Sequence, residues 1–91
     1  MKNRLELKIY GRVQGVTFRF SARRLAGRLG LTGWIKNIND GTVEAVVEGE
    51  EKDLREFLKW CARGPLFAKV ADVKVEKLMA TGEFDNFEIL Y

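Results

Sequence analysis

The sequence holds no histidine and a lone cysteine, Cys61. The first absence removes the commonest general base and the commonest metal ligand. The second excludes an intramolecular disulfide and a cysteine-rich zinc centre, and fits a reducing cytoplasm. No uncharged apolar run approaches the roughly 20 residues of a membrane-spanning helix. Lys2, Arg4, Glu6 and Lys8 interrupt the start of the chain, so no secretory signal is expected. Linkers, low-complexity segments and a convincing internal repeat are also missing. Catalysis, if present, must work by positioning and electrostatics or borrow its base from the substrate, with no cofactor and no metal.

What is present reads as one globular domain over residues 1–91, with 46% hydrophobic and 32% charged residues. A chain of this size buries roughly 60% of its unfolded surface, which gives a thin core. Leu5, Leu7 and Ile9 alternate with charged residues, which predicts a half-buried strand ending at Tyr10. Phe18, Ala22, Leu25, Ala26 and Leu29 recur at helical spacing, and Gly30 is placed to cap the helix. Thr32–Ile38 and Thr42–Glu48 read as a hairpin turning at Asn39, Asp40 and Gly41. On the second of these strands Val43, Ala45 and Val47 are expected inward, with Thr42, Glu44, Val46 and Glu48 outward. Leu54, Phe57, Leu58 and Cys61 mark a second helix, stopped by Gly64 and Pro65. A strand over Val70–Leu78, irregular near Asp72, and a short last strand with Phe87, Ile89 and Tyr91 complete the chain. The order β-α-β-β-α-β plus a terminal strand predicts a ferredoxin-like α+β sandwich, one antiparallel sheet with two helices on one face.

Charge is unevenly spread. Residues 1–36 carry nine Lys/Arg and one carboxylate, whereas residues 37–91 carry seven and twelve. The basic part contains Gly11–Arg19, GRVQGVTFR, between the first strand and the first helix. Gly11 and Gly15 let the chain turn, and the helix start offers unpaired N–H groups and a positive dipole end. Together these make a cradle for a phosphate-like anion. Arg19, in the first helical turn, carries a planar fork suited to two oxygens of such an anion. The alternative is an ordinary strand–helix turn with a surface arginine.

Geometry links this segment to Asn37. The first helix carries the chain roughly 16 Å away from the cradle. A strand of about six residues brings it back roughly 20 Å. Asn37 therefore ends at the cradle's edge of the sheet, on the face of Ile35, where its carboxamide could hold a water beside a bound phosphate. Read alone, it is more simply a residue that only opens the hairpin turn.

GRVQGVTFR at 11–19 and GWIKNINDGTVEAVVEG at 33–49 resemble the two signature segments of the acylphosphatases. The similarity continues through Gly64–Pro65, Ala68–Val73 and the terminal FEILY. The resemblance implies an enzyme that hydrolyses acyl phosphates to a carboxylate and inorganic phosphate. It places the family's arginine on Arg19, its asparagine on Asn37, and its phosphate-cradling amides on Gln14, Gly15, Val16, Thr17 and Phe18. Ile35 and Ile38 stand where many relatives carry other residues, and Ile38 lacks the hydroxyl of a secondary water anchor. The expected partner is a small-molecule acyl phosphate, with inorganic phosphate as product and competitive inhibitor. A monomer without membrane association is expected. Two other readings use the basic face without catalysis. A nucleic-acid module would need aromatic platforms where Glu44 and Glu48 stand. A ligand-sensing regulatory domain is not excluded by fold. Cys61, Trp34 and Trp60 read as packing residues.

Overall fold

The computed structural model describes all residues, Met1–Tyr91. Apolar–polar alternation carries the first strand, β1, over Lys2–Arg12, beyond Tyr10 at its far end. Helix α1 (Phe18–Leu29) buries Phe18, Ala22, Leu25 and Ala26 and ends at Gly30, whose N–H reaches the carbonyls of Ala26 and Gly27. Strands β2 (Thr32–Asn37) and β3 (Val43–Glu50) form the hairpin. Helix α2 (Glu51–Arg63) carries Glu51 and Asp53 in its first turn and Arg63 in its last, which complements its dipole. Strands β4 (Lys69–Met79) and β5 (Phe87–Leu90) follow.

The sheet order is β4-β1-β3-β2-β5. The first four strands are antiparallel to their neighbours, as the sequence predicts. The terminal strand is not: β5 runs parallel to β2, so the sheet is mixed. Both helices cover one face, where Leu5, Leu7, Ile9, Ile35, Val43, Ala45 and Val47 join Phe18, Leu25, Leu54, Phe57 and Cys61 in the core. Burial pushes the Cys61 thiol well above its ordinary pKa, so it is an inert packing group. Trp60 packs on Phe18 with ring centroids 5.1 Å apart, whereas Trp34 lies on the open face beside Lys36.

Two local expectations change. Glu48 lies on the open face as expected but is buried there, as are Thr42 and Val46, which were also expected outward. Arg4 bridges Glu48 at 3.1 Å, and the amides of Thr81 and Gly82 and the Thr81 hydroxyl all donate to it at 3.0 Å. Burial alone would raise the Glu48 pKa, but these donors outweigh it and hold it below its usual value. The cluster fastens the β4–β5 connection across the open face.

Gly11 is the second change. It lies within β1 rather than in the turn, at a β-bulge where the partner register slips from Asp72 to Val70. A Cβ on Gly11 would stand 2.2 Å from the Lys69 carbonyl oxygen, so only glycine lets β4 press this close. The irregularity near Asp72 is the other half of the same bulge.

Candidate active site

The chain leaves β1 at Arg12 and turns through Val13–Thr17 into α1. Val13 and Val16 are buried and anchor the turn to the core. Gly15 and Thr17 both adopt left-handed backbone conformations, with φ of 73° and 62°. Alternation of this kind aims successive N–H groups to one side and forms an anion-binding concavity. None of Gln14, Gly15, Val16 and Thr17 donates a backbone hydrogen bond within the protein. Thr17 is the residue before the helix, but its side chain makes no capping bond. The donors of the turn are therefore unpaired within the protein, next to the N-terminus of α1, whose first amides also lack intrahelical partners.

Arg19 is half-buried on the first turn of α1. Its guanidinium joins none of the ion pairs of the protein. It stacks instead on the ring of Tyr91, 5.1 Å from the centroid. A cation beside unpaired amides, with no carboxylate to neutralise it, is an arrangement for an incoming anion.

Asn37 is the last residue of β2, opposite Val43, and shares the helix-covered face with fully buried Ile35. Its Oδ1 is buried and has no hydrogen-bond donor. Buried side-chain acceptors are nearly always satisfied, and an orphan costs about 1–3 kcal/mol.

Two ties bring Asn37 to the cradle. The Gln14 side chain donates to the carbonyl of Ile38, the next residue, at 2.8 Å, and to that of Thr42 at 2.9 Å. Both N–H groups of that carboxamide thus lock the cradle turn onto the mouth of the hairpin. The second tie is β5, whose Leu90 pairs with Lys36, so Tyr91 emerges beside Asn37 and lies under Arg19. Sequence reasoning placed Gln14 only as a backbone donor and Tyr91 only in the last strand. The Gln14 side-chain role had a weak signal, a polar residue within a turn of apolar and glycine neighbours. Tyr91 had none, because its place depends on β5 pairing with β2.

The carboxylate of the hairpin turn, Asp40, accepts from the hydroxyl and amide of Thr42 at 2.6 and 3.0 Å and meets Lys8 at 3.2 Å. The Thr42 donors, then Lys8, hold its pKa at about 2. It is a structural clamp and far too weak a base to take a proton near neutral pH. No group of three or more Cys, Asp or Glu side chains is placed to hold a metal ion.

The molecule is thus a ferredoxin-like α+β sandwich with an unpaired amide turn and an arginine outside any ion pair at one end of its sheet. The acylphosphatase family model matches residues 5–89. An acylphosphatase of Methylococcus capsulatus is 47% identical over 87 residues, covering 96% of this chain and 95% of that protein. One of Aeropyrum pernix is 48% identical over 89 residues, covering 97% and 88%. The crystal structure of acylphosphatase from Bacillus subtilis superposes with a TM-score of 0.94 at 36% identity, covering 98% of this chain and 99% of that one. The chain belongs to the acylphosphatase family, hydrolases of acid anhydrides that cleave acyl phosphates.

Proposed function

We propose that the amides of Gln14, Gly15, Val16, Thr17 and Phe18 hold the phosphoryl oxygens of an acyl phosphate, with the Arg19 fork on two of them. Asn37 Oδ1 accepts a hydrogen bond from a water and sets it in line with the phosphorus. The P–O bond to water forms as the P–O bond to the acyl oxygen breaks. The carboxylate leaves without needing an acid, because it is already a stable anion. The water proton passes to a phosphoryl oxygen. A loose transition state of this kind asks the protein mainly for alignment and charge stabilisation. No metal takes part in this scheme. The single domain acts as a monomer in the cytoplasm, and inorganic phosphate competes with substrate for the cradle.

The observation that carries this reading is the orphaned Asn37 Oδ1. A fold that tolerates an unpaired buried acceptor beside unpaired donors and a free cation gains nothing from it in stability. A bound water explains the acceptor. Phosphate release from benzoyl phosphate tests the scheme in the unsubstituted protein and in Asn37→Ala, with and without a strong chelator. Turnover should survive the chelator and fall roughly 10²–10³-fold in the variant, the usual loss for one preorganised polar group. Phosphate inhibition should stay competitive and nearly as strong. Large loss of phosphate affinity with unchanged turnover would move Asn37 from the water to the anion. Activity lost on chelation and restored by a divalent cation would end the metal-free scheme.

A further inference from the structure

Three pairs of like charges face each other across β1 and β4: Glu6 with Glu76, Lys8 with Lys74, and Arg12 with Lys69. Direct cross-strand pairs of one sign are destabilising. Two of the three are relieved. Glu6 is bridged by Arg4 at 3.0 Å, and Lys8 by Asp40 and Glu44 at 3.2 and 3.6 Å. The third is not, since neither Arg12 nor Lys69 takes part in any ion pair. Asp72, a nearby carboxylate on β4, accepts instead from the Val73 amide at 2.9 Å.

This unrelieved pair lies at the cradle end of the sheet, and the bulge creates it. Continued without the slip at Gly11, the register would set Val70 opposite Arg12. The extra residue, Ala71, advances β4 by one position and brings Lys69 there instead. Bulges next to active sites commonly re-aim a side chain. Edge protection accounts for a lysine on the outer strand β4; Arg12 opposite it is exposed and lies past Ile9, the last residue of β1 paired with β3. Arg12 is also only two residues from Gln14, at most about 7 Å of extended chain.

We infer that Arg12 and Lys69 form a second anion subsite, and that the enzyme favours acyl phosphates whose acyl chain carries a second negative group. This rests on the proposed cradle. With the phosphoryl group held by the turn, a short acyl chain leads outward along the rim. A distal carboxylate or phosphate would then supply the counter-charge that the pair lacks. A polyanion such as a nucleic acid finds no continuous basic track on this face, because Asp72, Glu44, Glu6 and Glu76 alternate with Lys8 and Lys74 below the pair.

The test compares two four-carbon substrates that differ in the terminal charge, succinyl phosphate and butyryl phosphate. It uses the unsubstituted protein, Arg12→Gln, Lys69→Gln and the double variant. The unsubstituted protein should prefer succinyl phosphate in kcat/KM by roughly tenfold at low salt. That ratio should fall stepwise toward unity in the variants. It should also fall at about 1 M salt, where the screening length is about 3 Å. A ratio near unity in the unsubstituted protein, or one unchanged in the double variant, would overturn the subsite. Equal losses on both substrates would overturn it too, assigning the pair to the general field of the cradle. Failure to hydrolyse either substrate would overturn the cradle assignment, and the subsite with it.

Discussion

The Gln14 carboxamide holds the carbonyl of Ile38 at 2.8 Å, and through it fixes the distance between the anion cradle and Asn37. The same nitrogen donates to Thr42, whose carbonyl also accepts from the Ile38 amide at 2.9 Å. Gln14→Ala would strip two donors from the hairpin mouth, each bond worth about 0.5–1.5 kcal/mol. A stability loss of about 1–2 kcal/mol is expected in urea unfolding. Activity should fall mainly in kcat, by roughly tenfold, because the phosphate still finds its amides while the water is displaced. Gln14→Glu should be worse in both respects, since an ionised carboxylate cannot donate to the two carbonyls and repels the phosphate.

Arg19 owes its orientation to stacking on Tyr91 rather than to an ion pair. An exposed cation–π contact is worth about 0.5–1 kcal/mol. Tyr91→Ala should therefore raise the phosphate inhibition constant about two- to fivefold, and Tyr91→Phe should leave it near the starting value. Arg19→Lys should lose far more, roughly 10²-fold in kcat/KM, because a point charge reproduces neither the planar fork nor the stack. Steady-state kinetics with phosphate as inhibitor separates the two cases.

The legible part of the molecule was the part encoded by local periodicity. Leu5, Leu7 and Ile9 announce β1 by alternation, and Phe18, Ala22, Leu25 and Ala26 announce α1 by helical spacing, so element order and the place of the turn between them followed. Asn37 was legible because strand length and alternation set its edge and face. Glu48 was read on the correct side but its burial was not legible, because alternation assigns a side of the sheet and not what covers it, and Arg4 and Thr81 come from 44 and 33 residues away. Gly11 was read as a turn residue because glycine signals a turn and a bulge alike. The parallel pairing of β5, and with it the stack of Tyr91 on Arg19, is a tertiary choice with no local signature.

Asp40 gives the hairpin a pH dependence of known sign. Its pKa is about 2 in the folded protein against an ordinary 3.8, owing to Thr42 and then Lys8. A group depressed on folding contributes stability above its unfolded pKa, and that contribution disappears as pH falls through the folded value. Asp40→Asn should lower Tm by a few degrees at pH 7. The gap between variant and unsubstituted protein should close between about pH 4 and pH 2. Thermal unfolding followed across that range checks it; a gap independent of pH would mean that the carboxylate acts by shape rather than by charge.

Thr17 is the sole residue other than glycine with positive φ, at 62°. Left-handed backbone costs an ordinary residue roughly 1–2 kcal/mol, and branching at Cβ makes threonine a poor occupant. The side chain is exposed and makes no capping bond, so neither packing nor hydrogen bonding offsets that cost. The conformation persists because Val16 and Phe18 on either side are both buried and fix the path of the turn. Glycine at this position removes the clash but adds freedom to the unfolded chain, which offsets about 0.5–1 kcal/mol. Thr17→Gly should therefore stabilise the protein by roughly 0.5–1 kcal/mol, a rise of a few degrees in Tm. Thr17→Ala keeps the strained φ and sheds only the branching, so its gain should be smaller. Phosphate affinity should stay close to its starting value in both, since the cradle uses the amide and not the hydroxyl. If Thr17→Gly instead lowered Tm and weakened phosphate binding together, the hydroxyl would have to be a ligand of the bound anion, and the cradle would contain a side-chain donor as well as backbone ones.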